Sequence, residues 1–274
     1  MSGTERGILV GIMDKLRLDG KIALVTGGGS GLGQAMALAM ADAGADIAVS
    51  GRRLDPLQET KRIVEGKGRQ CFLTQADVTD SAQVNRMIQE VIEHYGHLDI
   101  LVNNAGGGGA GRGKTMPELT DEDWHQGIDT NLTSAFYCSR AVVPHYLERG
   151  GGRVINITSG WGMRGGRGNF MYSIAKGGVI QLTKTFAMTY ARDGIRCTCI
   201  APGAIPHFVE PDSPSARGDA QAIGRLGTTY EIGPLAVFLA SEAADYMSGE
   251  TVLIDGGAIA SGVLPAGVTA LAEG

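Results

Sequence analysis

The stretch that decides the fold is KIALVTGGGSGLGQAMALAMADAG, residues 21–44. Its first six residues form a short apolar run, which predicts a buried strand. Three glycines and a serine follow, and an alanine-rich segment then predicts a helix whose stop signal is Gly44. Strand, glycine turn and helix in this order predict the start of an α/β fold. In such a unit, bare backbone and the positive end of a helix can approach a phosphate.

The same alternation recurs along the chain. Further apolar runs are DIAVS, CFLTQA, LDILVNN, RVINITS, IRCTCIAPG and TVLIDGG, and helices are expected from about Leu54, at Ser81 to Tyr95, from about Asp121 to Arg149, at Tyr172 to Arg192 and at Tyr230 to Ala240. Because the runs are apolar throughout, the strands are expected to be buried on both faces of a parallel sheet. The sequence therefore predicts a single doubly wound Rossmann-type α/β domain with a seven-stranded parallel sheet flanked by helices.

This domain is expected to span residues 20–257, with a substrate loop at about 204–224. Residues 1–19 are then an N-terminal extension, and residues 258–274 are a C-terminal tail. The apolar patch of the extension, Ile8 to Met13, is too short to cross a membrane.

The composition favours a small-molecule partner. Of the 274 residues, 43% are hydrophobic and 19% are charged, and the formal charge of −5 gives no electrostatic case for nucleic acid or an anionic membrane. The four cysteines form no CxxC pair and have no histidine at metal-ligand spacing, so buried reduced thiols and no metal site are expected. Reduced thiols are typical of a cytoplasmic protein.

The segment after the second strand bears on the choice of nucleotide. A site for NAD usually offers a carboxylate about 20 residues beyond the glycines, at the end of the second strand. Here that segment reads AVSGRR, and Arg52 and Arg53 offer guanidinium groups suited to a 2′-phosphate. The alternative is a solvated pair that opens the next helix. We expect NADP(H) as the cofactor, with NAD(H) possible.

Seven motifs, taken together in order and spacing, resemble the short-chain dehydrogenase/reductase family from about residue 20 to residue 257. They are TGGGSGLG, the pair Asp77-Val78, NNAG at residues 103–106, Asn131, Ser159, Tyr172 with Lys176, and Pro202-Gly203. Within the family the chain is similar to 3-oxoacyl-carrier-protein reductases and to gluconate or deoxygluconate dehydrogenases. The resemblance implies hydride transfer between a nicotinamide cofactor and a ketone or secondary alcohol.

The resemblance also implies the site residues. Those expected at the cofactor are Gly27, Ser30, Gly31, Leu32, Gly33, Arg52, Arg53, Asp77, Val78, Asn103, Asn104, Ala105, Gly106, Tyr172, Lys176, Pro202, Gly203 and Ile205. The catalytic set it implies is Asn131, Ser159, Tyr172 and Lys176. In that set Ser159 orients the substrate oxygen and Asn131 holds a water that links Lys176 to solvent. The two long helices resemble the pair through which this family forms dimers and tetramers, so a homotetramer is expected.

The spacing of Tyr172 and Lys176 has a physical reason. A tyrosine titrates near pH 10 when left alone, and Lys176 lies one helical turn later on the same face. A positive charge about 4 Å away, at an effective dielectric near 20, is worth about 4 kcal/mol. That interaction predicts a Tyr172 pKa lowered to roughly 7.

The substrate side is less defined. Arg112, Lys114, Arg164 and Arg167 flank the expected mouth, and they indicate an anionic or strongly polar substrate, such as a sugar acid or a 3-oxoacyl thioester, or else ordinary solvated loop charges. Trp161 contributes to an apolar wall or to packing. His207 stands where the family commonly has a threonine, so it contacts the nicotinamide carboxamide, the substrate or solvent.

Two other classes of function stay open. One is a nucleotide-sensing protein without catalysis, although such a protein needs only the nucleotide end of the motif set. The other is a lyase or epimerase that uses the same tyrosine with a tightly held cofactor.

Overall fold

The computed structural model describes residues 11–206 and 221–260. Its strands are β1 Ile22–Thr26, β2 Asp46–Gly51, β3 Cys71–Gln75, β4 Ile100–Asn103, β5 Gly152–Ile157, β6 Ile195–Pro202 and β7 Thr251–Ile254. Its α-helices are α1 Gly31–Asp42, α2 Leu54–Gly66, α3 Ser81–Tyr95, α4 Asp121–Ile128, α5 Ser134–Arg149, α6 Phe170–Tyr190 and α7 Ile232–Ala240.

The seven strands form one parallel sheet in the order β3-β2-β1-β4-β5-β6-β7, as the apolar runs predict. Val25 of β1 pairs with Val49 of β2 on one side and with Val102 of β4 on the other. The strand order reverses direction between β1 and β4. In open α/β sheets the carboxyl ends of the strands at such a reversal form the ligand crevice.

The sheet is covered on both faces, and successive residues of a strand enter opposite cores. Ala23 and Val25 pack with α1, α2 and α7 in one core, whereas Ile22 and Leu24 pack with α3, α5 and α6 in the other. This division explains why the strands are apolar throughout. The chain therefore forms the single doubly wound domain that the sequence predicts.

The predicted helix from Asp121 to Arg149 is interrupted. Residues Asp129–Thr133 form a π-helical turn between α4 and α5. In this turn the side-chain amide of Asn131 donates to the Gly127 carbonyl at 3.0 Å. Single π turns inside α-helices frequently occur at functional sites.

The ends of the predicted domain fall partly outside the described residues. Within the described part of the extension, Leu18 is 1% exposed and packs in the core beside α1. The division into an extension at residues 1–19, a loop at 204–224 and a tail at 258–274 stays a prediction. All four cysteines are free and buried. None of the helices in residues 11–206 and 221–260 is long and apolar enough to cross a membrane.

Candidate active site

A cavity of about 580 Å³ lies at the carboxyl ends of the strands. Nearly all of the residues predicted to bind the cofactor line it. They are Gly27, Ser30, Leu32, Gly33, Arg52, Arg53, Asp77, Val78, Asn104, Ala105, Gly106, Tyr172, Lys176, Pro202, Gly203 and Ile205. Ser159 lines the cavity too, so the nucleotide end and the catalytic candidates share one space. Gly31 does not line it, and instead begins α1 with a φ of +54°.

The turn between β1 and α1 has no room for side chains at two of its glycines. Gly27 has a φ of +65°, which favours glycine. A Cβ atom on Gly33 would lie 2.3 Å from the Gly27 carbonyl oxygen and 2.4 Å from Nδ2 of Asn104. The cradle is therefore bare backbone at the N-terminus of a helix, and this geometry suits a pyrophosphate.

Thr26 ties this turn to the NNAG segment. Its hydroxyl accepts hydrogen bonds from the backbone amides of Asn104 and Ala105 at 3.0 and 3.1 Å. The Asn104 side chain donates in turn to the Thr26 carbonyl at 2.9 Å. The ends of β1 and β4 are thus fixed relative to each other beneath the cavity.

The prediction that Asn103 lines the cofactor is wrong. Its side chain is buried, and it donates to Asn156 Oδ1 at 2.8 Å and to the Ser139 hydroxyl at 3.0 Å. Asn103 is the last residue of β4, and neighbouring residues of a strand point to opposite faces. Only the second asparagine of the motif therefore faces the cavity.

Arg52 and Arg53 lie at the edge of the cavity between β2 and α2, and both are exposed. A guanidinium nitrogen of Arg52 is 4.0 Å from an Asp77 carboxylate oxygen. Arg53 is the N-cap residue of α2, and no side chain caps this helix end. Two cations and the uncapped helix N-terminus give this edge the electrostatic character of an anion site.

Ser159, Tyr172 and Lys176 line the same cavity. Ser159 follows β5 and is the N-cap of a short 3₁₀ turn, where its hydroxyl accepts from the Trp161 amide at 3.2 Å. Tyr172 and Lys176 lie one turn apart on α6, and Lys176 is 4% exposed. The Lys176 ammonium donates to the Ile157 carbonyl at 2.9 Å and lies 5.7 Å from the centroid of the Tyr172 ring.

Burial controls the pKa of both groups. The pKa of Lys176 is lowered to about 8, because the ammonium is removed from water. The pKa of Tyr172 is raised by burial, and a hydrogen bond with Ser159 opposes this effect by less. The predicted lowering of the Tyr172 pKa to roughly 7 is therefore wrong for this structure, in which burial sets the direction of the shift and the Lys176 ammonium donates to the Ile157 carbonyl. The phenol keeps its proton at neutral pH and is placed to donate it.

Asn131 does not itself line the cavity, but its side chain binds both backbone groups of Gly107, which does. Its Oδ1 accepts from the Gly107 amide at 3.0 Å, and its Nδ2 donates to the Gly107 carbonyl at 2.8 Å. A Cβ atom on Gly106 would lie 2.9 Å from Asn131 Oδ1 and 3.3 Å from Lys176 Nζ. Asn131 and Lys176 thus approach the same point of the wall from either side.

The candidate substrate residues lie apart from the described cavity. The Arg164 guanidinium stacks 4.6 Å above the Trp161 ring, and neither residue lines the cavity formed by the described residues. The Lys114 ammonium pairs with Asp123 at 2.6 Å, so its charge is neutralised locally. His207 lies outside the described residues.

Several cavity residues are missing from the predicted set, among them Gly107, Gly108, Thr130 and Thr158. The Thr158 hydroxyl donates to the Lys176 carbonyl at 2.6 Å and so anchors α6 to the end of β5. A signal for Thr158 and Thr130 exists in the sequence, because each directly precedes a predicted catalytic residue. Gly107 and Gly108 continue the glycines of NNAG, and only the fold shows which side they face.

Comparisons with known proteins agree with this geometry. A family model for short chain dehydrogenases matches residues 21–214. The 3-oxoacyl-acyl-carrier-protein reductase of Thermotoga maritima is 35% identical over 251 residues, which cover 89% of this chain and 100% of the relative.

Two solved structures add to this. A 7α-hydroxysteroid dehydrogenase complexed with NADH and 7-oxo glycochenodeoxycholic acid is 32% identical and superposes with a TM-score of 0.84, over 90% of this chain and 98% of the other. A candidate gluconate dehydrogenase from Agrobacterium tumefaciens is 34% identical with a TM-score of 0.83, over 89% of this chain and 97% of the other. With this match in sequence and fold, the chain belongs to the short-chain dehydrogenase family and is an oxidoreductase of that family.

Proposed function

We propose that this chain transfers a hydride between NADP(H) and a ketone or secondary alcohol, with Tyr172 as the proton donor and acceptor. The observation that carries the proposal is the shared cavity, in which a bare glycine cradle and two arginines lie at one end and Ser159, Tyr172 and Lys176 at the other. A pure nucleotide sensor has no need of a buried lysine beside a protonated phenol. The relatives of this chain act on several different substrates, so only the chain's own residues can indicate its substrate and its cofactor.

A bound nicotinamide would supply the hydride in reduction and accept it in oxidation. The glycine turn at residues 27–33 would hold the pyrophosphate, and the Asn104 side chain, which donates to the Thr26 and Gly27 carbonyls, would support that turn. Ser159 donates a hydrogen bond to the substrate oxygen and orients it toward Tyr172. Tyr172 gives its proton to the developing alkoxide in reduction and takes it back in oxidation. Lys176 holds a positive charge near the phenol, which stabilises the phenolate left behind.

Replacing the Tyr172 hydroxyl tests this role. In Tyr172→Phe we expect kcat to fall by about 10²- to 10⁴-fold, because the proton donor is lost while the ring still fills its place. Oxidation of NADPH at 340 nm is followed with 3-oxoacyl thioesters and keto sugar acids, and nucleotide binding is measured by fluorescence. Wild-type protein that binds nucleotide and turns over nothing would favour a sensor. Turnover without net change at 340 nm would favour a lyase or epimerase.

The preference for NADP(H) rests on Arg52 and Arg53 at the uncapped end of α2. Each charge-assisted contact with a 2′-phosphate contributes about 1.5–3 kcal/mol, so Arg53→Ser should weaken NADPH binding by about 10- to 100-fold. NADH binding should change little. Arg62→Ser is the matched control, because Arg62 is exposed on the same helix, pairs with Glu59 and lies outside the cavity lining. NADPH and NADH must both be measured, because the related 7α-hydroxysteroid dehydrogenase was solved with NADH. Equal kcat/KM for the two cofactors in the wild-type protein would contradict a preference for NADP(H).

A polar or anionic substrate, such as a sugar acid or a 3-oxoacyl thioester, is part of the proposal. Its support is the exposed Arg112 in the loop after β4 and the exposed Arg167 in the loop before α6, two loops joined by the hydrogen bond from the Gly113 amide to the Gly168 carbonyl. Charge reversal at Arg167 should raise KM for an acidic ketone and leave KM for a neutral ketone unchanged. We also propose a cytoplasmic homotetramer, supported by the four free thiols and by exposed apolar residues on α5 and α6.

A further inference from the structure

Three successive glycines line the cavity beside the catalytic candidates, and only the first is required by its surroundings. A Cβ atom on Gly106 would come within 2.9 Å of Asn131 Oδ1 and 3.3 Å of Lys176 Nζ. Real Cβ atoms almost never approach another atom so closely, so a side chain here would displace part of the catalytic set. Gly106 is glycine for a steric reason.

Gly107 and Gly108 have no such reason. A Cβ atom on Gly107 would meet nothing within 4 Å, and one on Gly108 would meet only Cδ2 of Tyr172, at an ordinary contact distance of 4.0 Å. Neither residue has a φ in the left-handed region. A glycine that the backbone does not need costs conformational entropy on folding relative to alanine. The two glycines leave open space on this wall, and at Gly108 that space lies beside the Tyr172 ring.

This bare wall is held in place by the surrounding structure. Asn131 binds both the amide and the carbonyl of Gly107. Further along the same loop, the Gly113 amide donates to the Gly168 carbonyl at 2.7 Å, which ties this loop to the one between Ser159 and α6. These hydrogen bonds limit how far the loop could move to make room for a side chain at Gly107 or Gly108.

We propose that Gly107 and Gly108 set the size limit of the substrate, and that the chain reduces ketones with a bulky group next to the carbonyl. Such a ketone is branched at the carbon beside the carbonyl or carries the carbonyl in a ring. With the carbonyl oxygen held between Ser159 and Tyr172, the branch lies along the edge of the Tyr172 ring over Gly108. This inference rests on the proposed function, because it assumes that Ser159 and Tyr172 bind a ketone.

The test compares ethyl 3-oxobutanoate with its 2-ethyl derivative, which differ only in a branch beside the carbonyl. For wild type, kcat/KM should be similar for both esters. In Gly108→Leu the branched ester should lose about tenfold or more in kcat/KM, mainly through KM, while the unbranched ester changes by less than about threefold. Gly107→Ala should give the same order with a smaller effect.

Gly165→Val is the matched control. Gly165 is exposed in the loop between Ser159 and α6, and it does not line the cavity. A Cβ atom on Gly165 would meet nothing within 4 Å, and its φ is not in the left-handed region. In Gly165→Val the ratio of kcat/KM for the branched ester to kcat/KM for the unbranched ester should stay at the wild-type value.

The outcomes distinguish a failure of the proposed size limit from a failure of the proposed function. Equal losses for both esters in Gly108→Leu, or no loss for either, would overturn the size limit while leaving the proposed function intact. A Gly108→Leu protein that does not fold or bind nucleotide would overturn the claim that the fold accepts a side chain there. If wild-type protein reduces no ketone at all, the proposed function falls, and the size limit falls with it.

Discussion

Lys176 is the residue whose environment departs most from its ordinary chemistry. Its ammonium is buried in the end of the sheet, and a single backbone carbonyl, that of Ile157, compensates it directly. Desolvation lowers its pKa to about 8, so at neutral pH it is mostly charged but holds its proton weakly. Tyr172 next to it keeps its proton more firmly than a free phenol, because burial raises its pKa. At neutral pH the pair therefore presents a proton donor, which favours reduction.

This pairing predicts how the proposed reduction depends on pH. Lys176 must be charged to stabilise the phenolate formed when Tyr172 gives up its proton. Since the ammonium loses its proton as pH rises through about 8, kcat/KM for a ketone should fall above that pH. Lys176→Met should lower kcat/KM and abolish this limb of the profile. The profile is measured with saturating NADPH. If kcat/KM of Lys176→Met still falls above about pH 8, the titrating group is not Lys176.

The π turn between α4 and α5 is the element on which the site's wall depends. The extra residue in this turn brings the Asn131 side chain out of the helix and against the peptide of Gly107, while it still binds the Gly127 carbonyl. One side chain thus binds a helix carbonyl and both the amide and the carbonyl of Gly107. We therefore expect the motions of the π turn and of the loop after β4 to be coupled.

Removing the Asn131 side chain should loosen both segments. Asn131→Ala removes the side-chain hydrogen bonds to the Gly107 amide, the Gly107 carbonyl and the Gly127 carbonyl, and we expect the free energy of unfolding to fall by about 1–3 kcal/mol. The Gly107 amide should exchange with solvent faster, which hydrogen-exchange mass spectrometry can measure. Asn169→Ala is the control, because the Asn169 side chain makes no capping hydrogen bond at α6. Equal exchange at Gly107 in the two variants would show that Asn131 does not hold this peptide.

Most elements of the fold are predictable from the sequence, because local periodicity carries them. The boundaries of α3, Ser81 to Tyr95, agree to the residue, since Asp80 caps its start and Gly96 ends it with a φ of +80°. What sequence did not reveal depends on contacts between distant segments. Asn131 in the π turn binds a loop 24 residues away, and the burial that raises the pKa of Tyr172 arises only when the chain folds.

At the scale of the whole molecule, two helices present apolar side chains to solvent on the face opposite α1. Phe136 and Leu147 of α5 are 43% and 45% exposed, and Ile174 and Met188 of α6 are 43% and 86% exposed. The Arg140 guanidinium lies 5.1 Å from the Phe136 ring centroid and shields part of it. Tyr172 and Lys176 lie on α6, and α5 follows directly on the π turn that contains Asn131. Packing of α5 and α6 against another copy would therefore also steady the site.

The homotetramer is tested by mass in solution. Light scattering on the eluting protein at micromolar concentration should give four times the 28.5 kDa chain mass. Leu147→Glu places a charge on the exposed face of α5, where burial against a partner would leave it desolvated, so the mass should fall to that of a smaller assembly. Leu54→Glu is the control, because Leu54 is 39% exposed but begins α2, away from α5 and α6. A tetramer that survives Leu147→Glu would place the interface elsewhere. A wild-type monomer would contradict the tetramer, and α5 and α6 would then steady the site without a partner.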